Sequence, residues 1–275
     1  MTSPRAAAPT QGFTLTELLI GIALALLVLF AAGSLLVSSS RSASDLQIRN
    51  DLLLEQQVAA NYLLAGAREA AYVYPNGTAI NLPAHYSTTR PGGGSWTVGG
   101  SVPILAFIQA PERPVTGCAL TTADTRRACY TFRAYYPVRR GDWTAAAPPE
   151  ANPGADRGND DRWVLAEFTQ VLNAVTPPTV TGAQTLAAGG LNGAATLLLD
   201  YVQPAVPGLP ALLDAVTPVT PVPQAPGTVR VTMNLSLNRA VRGRDTTLPA
   251  RPDATPATWV QRVTVAPRNV GTLAP

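Results

Sequence analysis

The hexapeptide Gly12-Phe13-Thr14-Leu15-Thr16-Glu17 runs directly into an apolar segment, Leu18 to Val37, in which Ser34 carries the only hydroxyl. Twenty such residues, at about 1.5 Å each, span the roughly 30 Å hydrocarbon core of a bilayer. Most secretory h-regions are shorter. The small residue and its polar neighbours precede the apolar run, whereas an ordinary signal peptide carries its cleavage site after it. Cutting at Gly12 would therefore leave the hydrophobic helix on the mature chain. Glu17 is then a carboxylate at the edge of the hydrocarbon, where an ionisable group is expensive without a partner. Residues 1–12 contain Arg5 and no acidic residue, which suits a cytoplasmic start under the positive-inside rule.

These residues resemble the class III signal of type IV pilins and pseudopilins. The resemblance implies a leader of residues 1–12, cleavage after Gly12 by a membrane prepilin peptidase, methylation of the new amino terminus at Phe13, and polymerisation of the apolar helices into a filament core. It also implies that the carboxylate of Glu17 pairs with the terminal amine of a neighbouring subunit during assembly. A signal anchor with an incidental glutamate is the alternative.

Beyond Val37 the polar run Ser38-Ser39-Ser40-Arg41-Ser42 marks the exit from the bilayer, and no proline interrupts the chain from Phe13 to Tyr74. Leu46, Leu53, Ala60, Leu64, Ala67 and Ala71 recur at helical spacing and predict one apolar face on a helix that runs to Val73. Tyr74-Pro75-Asn76-Gly77 should end it, because proline disfavours helical geometry at the residue before it and Asn-Gly turns readily. The predicted division is a membrane and filament-core helix over 13–37, an amphipathic docking helix over 38–74, and a globular domain over 75–275.

In that domain the apolar period becomes two. Strands are predicted at Ile104 to Gln109, Tyr130 to Tyr136, Trp163 to Phe168, Thr196 to Val202, Thr228 to Leu237 and Trp259 to Val265. The series Val229, Val231, Met233, Leu235, Leu237 alternates with Arg230, Thr232, Asn234 and Ser236, so one face should pack on the helix and the other should be wet. The fold class is α+β: a long N-terminal helix packed on an antiparallel sheet, pilin-like in outline. The first helix and the late strands, Val229 to Leu237 and Val260 to Val270, are similar to those of PilW-type minor pilins. Type II secretion pseudopilins of the J class share the outline. Pro204 to Pro226 holds seven prolines and reads as an extended surface loop or a partner-binding arm.

All 20 basic residues are arginine and the net charge is only +3, too weak a balance to demand a nucleic-acid partner. Cys118 and Cys129 suit a disulfide in an oxidising compartment, with paired free thiols as the alternative. Asp156, Asn159, Asp160 and Asp161 carry oxygens of the kind that hold calcium, although their spacing is not that of an EF-hand, and a solvated acidic loop has the same composition. No other cofactor is expected. Arg126, Arg127, Arg139 and Arg140, with Tyr130, Tyr135 and Tyr136 between them, would suit single-stranded DNA if they shared a surface; the ordinary reading is the solvent face of a strand. The lone histidine, His85, gives no catalytic constellation, so no enzyme is expected. The partners implied by the resemblance are prepilin peptidase, other pilins, an inner-membrane assembly platform and the membrane itself. The implied location is the inner membrane, single-pass, with the C-terminal domain periplasmic or extracellular. A membrane-anchored envelope binding protein is the competing class.

Overall fold

The computed structural model describes residues 14–113, 117–172, 178–205, 211–216, 224–248 and 260–273. The chain divides into two compact units, Met1–Asn50 and Asp51–Pro275. Helix α1 (Leu15–Arg68) contributes to both. Among the described residues of the first unit the large apolar side chains from Leu15 to Leu46 are exposed, with Leu18 at 58%, Phe30 at 80% and Leu46 at 62%, and Ile48 is half-buried. In the second unit the helix buries Leu52, Gln56, Ala59, Ala60, Leu63, Gly66 and Ala67. The buried stripe thus starts at Leu52. Leu53, placed on the apolar face by its spacing, is 42% exposed.

The helix ends at Arg68, five residues before the expected Val73. Ala70–Val73 instead forms strand β1, all four residues of which are buried. It pairs antiparallel with β4 (Leu105–Gln109), joining Tyr72 to Ile108 and Val73 to Phe107. Cross-strand pairing with a buried neighbour outweighs the helical preference of Ala70 and Ala71. The orphan carbonyls at the helix end are taken up by distant segments, which explains the sharp stop. Arg68 O accepts from Arg268 N at 2.8 Å, and Glu69 O accepts from Ala110 N at 2.8 Å.

Five further strands join this pair: β5 (Thr131–Arg139), β6 (Trp163–Val171), β7 (Ala194–Val202), β10 (Leu237–Val241) and β11 (Arg244–Leu248). Among the described residues they make a seven-stranded antiparallel main sheet in the order β1-β4-β5-β6-β7-β10-β11. Short strands β2 (Ala79–Ile80) and β3 (Trp96–Thr97) form a separate pair. Pro137 sits in β5 past the last β4 partner, since that ladder ends at Leu105 opposite Tyr135. A residue without an N–H is tolerated where one side of the strand has no ladder. A second sheet is built from β8 (Leu213–Val216), β9 (Arg230–Leu235) and β12 (Gln261–Val265), with β9 in the centre.

Besides the unexpected strands β1, β2, β3 and β11, three departures from the expected strand pattern have a clear physical cause. The run Thr228 to Leu237 is two strands in different sheets, broken at the buried Ser236, whose hydroxyl donates to Gln203 Oε1 at 2.6 Å and whose carbonyl accepts from Gln203 N at 2.8 Å. The proline-rich insertion contains β8, because the interval from Ala211 to Thr217 has no proline and offers Leu212 and Leu213 to the core, each 1% exposed. The main sheet is also covered on both faces. One face carries α1, where a Cβ on Gly66 would lie 3.1 Å from Tyr135 Oη. The other carries Ile80, Trp96, Trp143, Val180 and Ala183, packed on Phe132, Ala134, Tyr136, Ala166 and Phe168. Strand segments apolar at consecutive positions, such as Leu105 to Ile108, are the signature of a sheet buried on both sides.

Candidate functional site

The start of α1 is closed by a reciprocal cap. Glu17 N donates to Thr14 Oγ1 at 3.3 Å, while Thr14 N and the Thr14 hydroxyl donate to Glu17 Oε2 at 3.0 and 2.8 Å. This is the Ser/Thr-x-x-Glu capping box, in which two otherwise orphaned backbone donors are satisfied. Within the apolar run the Ser34 hydroxyl donates to Ala31 O at 2.8 Å, so that stretch carries no unpaired hydroxyl hydrogen. Among the described residues α1 is the one helix long and apolar enough to cross a membrane. Gly12 and Phe13 lie outside the described residues.

Where α1 meets the sheet, small residues bring the backbones close and polar side chains set the register. Gln56 Nε2 donates to Leu235 O at 3.0 Å in the interior. One turn and a half further on, Tyr62 Oη donates to Glu167 Oε2 at 2.8 Å and accepts from an Arg133 terminal nitrogen at 2.8 Å. The same arginine pairs with Glu167 Oε1, which also accepts from Tyr135 Oη at 3.0 Å. Tyr135 and Glu167 are cross-strand partners and Arg133 is two residues away on β5, so the pleat delivers all three to the face under the helix. Burial pushes the Tyr135 phenol well up, and the Glu167 carboxylate adds to the effect. Burial works against the charge on Arg133, but Tyr135, Glu167 and Tyr62 outweigh it and hold the guanidinium protonated. Hydrogen bonds to charged groups contribute about 1.5–3 kcal/mol each. A slide of α1 by one residue would break both bonds of Tyr62. Sequence reasoning misses this cluster; the signal that could have found it is two opposite charges at inward positions of strands that are otherwise apolar.

Cys118 and Cys129 are joined by a disulfide. It brackets the short helix α2 (Ala123–Arg126), which has its own reciprocal cap between Thr122 and Thr125. Closing a loop of this length constrains the unfolded chain by about 2–3 kcal/mol. The variant with both cysteines changed to serine is expected to melt at correspondingly lower denaturant concentration, with an unchanged far-ultraviolet spectrum. A midpoint equal to that of the parent under oxidising conditions would contradict this.

The candidate calcium oxygens face five different partner residues. Asp156 accepts from Tyr201 Oη at 2.6 Å and from Arg239 at 2.9 Å. Asn159, fully buried, exchanges two hydrogen bonds with the backbone of Ala240, at 2.7 and 2.8 Å. Asp160 lies 3.7 Å from Arg140, and Asp161 lies 3.6 Å from Arg162. Among the described residues no group of three or more histidine, cysteine or acidic side chains is placed to hold a metal ion. Burial raises the Asp156 carboxyl, but the hydrogen bonds from Tyr201, Asn159 and Arg239 outweigh it and hold the group below the usual carboxylate range.

Arg140, 1% exposed, anchors this region. Its Nε bridges both oxygens of Asp200 at 3.0 and 3.1 Å, and a terminal nitrogen donates to Gly154 O at 2.8 Å. A bulge aims Asp200. Between the pairs Trp163–Val202 and Leu165–Leu199, β6 has one residue and β7 has two. Tyr201 takes φ 60° there, and its N–H donates to Asp200 Oδ1 at 2.9 Å.

The arginine and tyrosine set does not form one surface. Tyr130, Tyr135 and Tyr136 are 5%, 0% and 0% exposed, because both faces of β5 are covered. Arg126 and Arg127 precede β5, and the exposed Arg139 ends it, stacked 4.7 Å from the Trp163 ring centroid. No row of rings is left on which bases could stack. His85 is exposed, with Nδ1 2.8 Å from Ser87 Oγ.

Comparison with protein-family models, with curated proteins and with solved structures finds no match.

Proposed function

We propose that this chain is a minor pilin or pseudopilin, a structural subunit of a type IV pilus-like filament that acts in its initiation or tip complex. The observation that carries the reading is α1: an apolar first half with no buried side chain, a carboxylate in its first turn, and a second half with seven buried residues. A soluble domain has no use for twenty exposed apolar residues in sequence. In an anchor Glu17 serves only as a helix cap, whereas in a filament its charge also has a partner to meet.

Mechanically, prepilin peptidase cuts after Gly12 and the new amino terminus at Phe13 is methylated. The apolar half then exchanges lipid for the helices of neighbouring subunits, and Glu17 sets register by meeting a neighbour's terminal amine. The domain rides on the second half of α1, held there by Gln56, Tyr62, Arg133 and Glu167. In this reading the chain is non-enzymatic.

The test is fractionation of native cells into sheared filaments, membranes and periplasm. The chain is expected in the filament fraction at a small proportion of the major subunit, and in the inner membrane otherwise. Confinement to the membrane fraction in cells that bear filaments would contradict the proposal.

A further inference from the structure

Along the docked half of α1, Leu52, Gln56, Ala59 and Leu63 are buried against the rest of the domain. Glu55 precedes Gln56 and follows Asp51 by one helical turn, so the two carboxylates share a flank at the rim of that contact. This flank meets the polar junction built around the β7 bulge. Asp200 from β7 repels Glu55 and Arg239 from β10 attracts it, while Asp51 repels it from its own helix.

The guanidinium groups of the junction are already taken. Arg140, 1% exposed, holds Asp200 through Nε at 3.0 Å, and Arg239 pairs with Asp156 at 2.9 Å. Both arginines stack on the ring of Tyr201, 5.3 and 4.7 Å from its centroid, and the Tyr201 hydroxyl donates to Asp156 at 2.6 Å. Asp160 lies 3.7 Å from Arg140, with its side chain 62% exposed to water. Each guanidinium thus has its own aspartate, and Glu55 is the carboxylate left over. Among the described residues no hydrogen bond or ion pair engages it. Burial at the rim, with repulsion from Asp200 and Asp51, pushes its carboxyl above the usual range, and Arg239 offsets only part of that rise. Like charges repel more strongly at such a rim than in open water.

We propose that Glu55 is a proton-operated latch on the docked half of α1. Protonated, it leaves the junction with two arginines facing two aspartates and the helix fully seated; ionised, it adds a carboxylate for which no guanidinium is free. The latch is independent of the pilin reading, because it acts between α1 and the sheet of the same chain. A carboxyl raised on folding favours the folded state below its unfolded pKa, and that advantage is lost as pH rises through the folded pKa. Acid therefore seats the helix, and neutral pH loosens it.

The test compares the full chain in detergent micelles with Glu55→Gln, whose amide stands in for the protonated form and suits a helix interior. At about pH 7.5 the variant is expected to melt about 2 °C above the parent, and at about pH 4, below the ordinary glutamate value, the two should melt together. Hydrogen exchange at the Gln56 side-chain amide, which donates to Leu235 O at 3.0 Å, reports seating directly. Taken as the ratio of parent to variant at each pH, so that base catalysis cancels, it should be about threefold at the higher pH and about one at the lower. Asp51→Asn, which removes only the repulsion within the helix, should recover the smaller part of the gain. A Glu55→Gln variant no more stable than the parent at about pH 7.5, an exchange ratio that does not change with pH, or recovery of the whole gain by Asp51→Asn would each overturn the proposal, the last by confining the repulsion to α1 itself.

Discussion

Changing Glu17 to glutamine is expected to be as damaging to filament incorporation as changing it to alanine, with both variants inserted in the membrane and folded. The comparison separates the capping role of Glu17 from its proposed role in assembly. In the capping box Glu17 Oε2 accepts from Thr14 N at 3.0 Å, and glutamine performs that task nearly as well as glutamate. Alanine loses the cap, at a cost of about 0.5–2 kcal/mol to the first turn by analogy with the N-cap side. Pairing with a neighbour's terminal amine needs the negative charge, which glutamine lacks. Loss of a charge-assisted contact of about 1.5–3 kcal/mol lowers incorporation on the order of tenfold to a hundredfold. Counting each variant in sheared filaments against its amount in the membrane is the measurement. Normal incorporation of Glu17→Gln alongside poor incorporation of Glu17→Ala would reduce Glu17 to a helix cap, and normal incorporation of both would remove its role in assembly.

Asp200→Ala should cost more folding stability than removing the disulfide or any of the exposed ion pairs. It strips the bidentate partner from Arg140, which is 1% exposed and cannot reach solvent. Removing one member of a buried ion pair costs about 3–5 kcal/mol, because the remaining charge stays desolvated. For a domain of this size that lowers the melting temperature on the order of 10 °C. Asp200→Asn should cost less, since an amide oxygen still accepts from Arg140. Burial already pushes the Asp200 carboxyl up, with Arg140 offsetting only part of that rise. Calorimetric melts of the two variants decide the point. A loss below about 1 kcal/mol for Asp200→Ala, the range of an exposed pair, would show that water reaches Arg140.

The sequence was most legible where one local pattern decided the outcome. Twenty apolar residues and the absence of proline specify α1, short apolar and β-branched runs between turn signals specify β4 to β7, and period-two alternation specifies β9. It failed where distant segments compete with local preference. Ala70 to Val73 continue a helical pattern, yet β4 claims their backbone, and Arg268 takes the carbonyl of Arg68 just before them. Gln224 lies in a proline-rich run, yet its side-chain amide exchanges two hydrogen bonds with Val73 at the edge of the main sheet. Tyr135 and Tyr136 look like a binding surface in sequence because adjacent strand residues point to opposite faces, one of which is usually wet; here both are covered. Arg133, Glu167, Arg140 and Asp200 stay hidden for the same reason. Their pairings cross 34 and 60 residues and exist only once strand order is known.

Intact-mass analysis and N-terminal sequencing of the protein recovered from its native membrane, with and without active prepilin peptidase, test the central claim most directly. The expected result is a chain that begins at methylated Phe13 when the peptidase is present and at the uncut leader when it is absent. A Met1 start under both conditions, or cleavage after Val37, would contradict it.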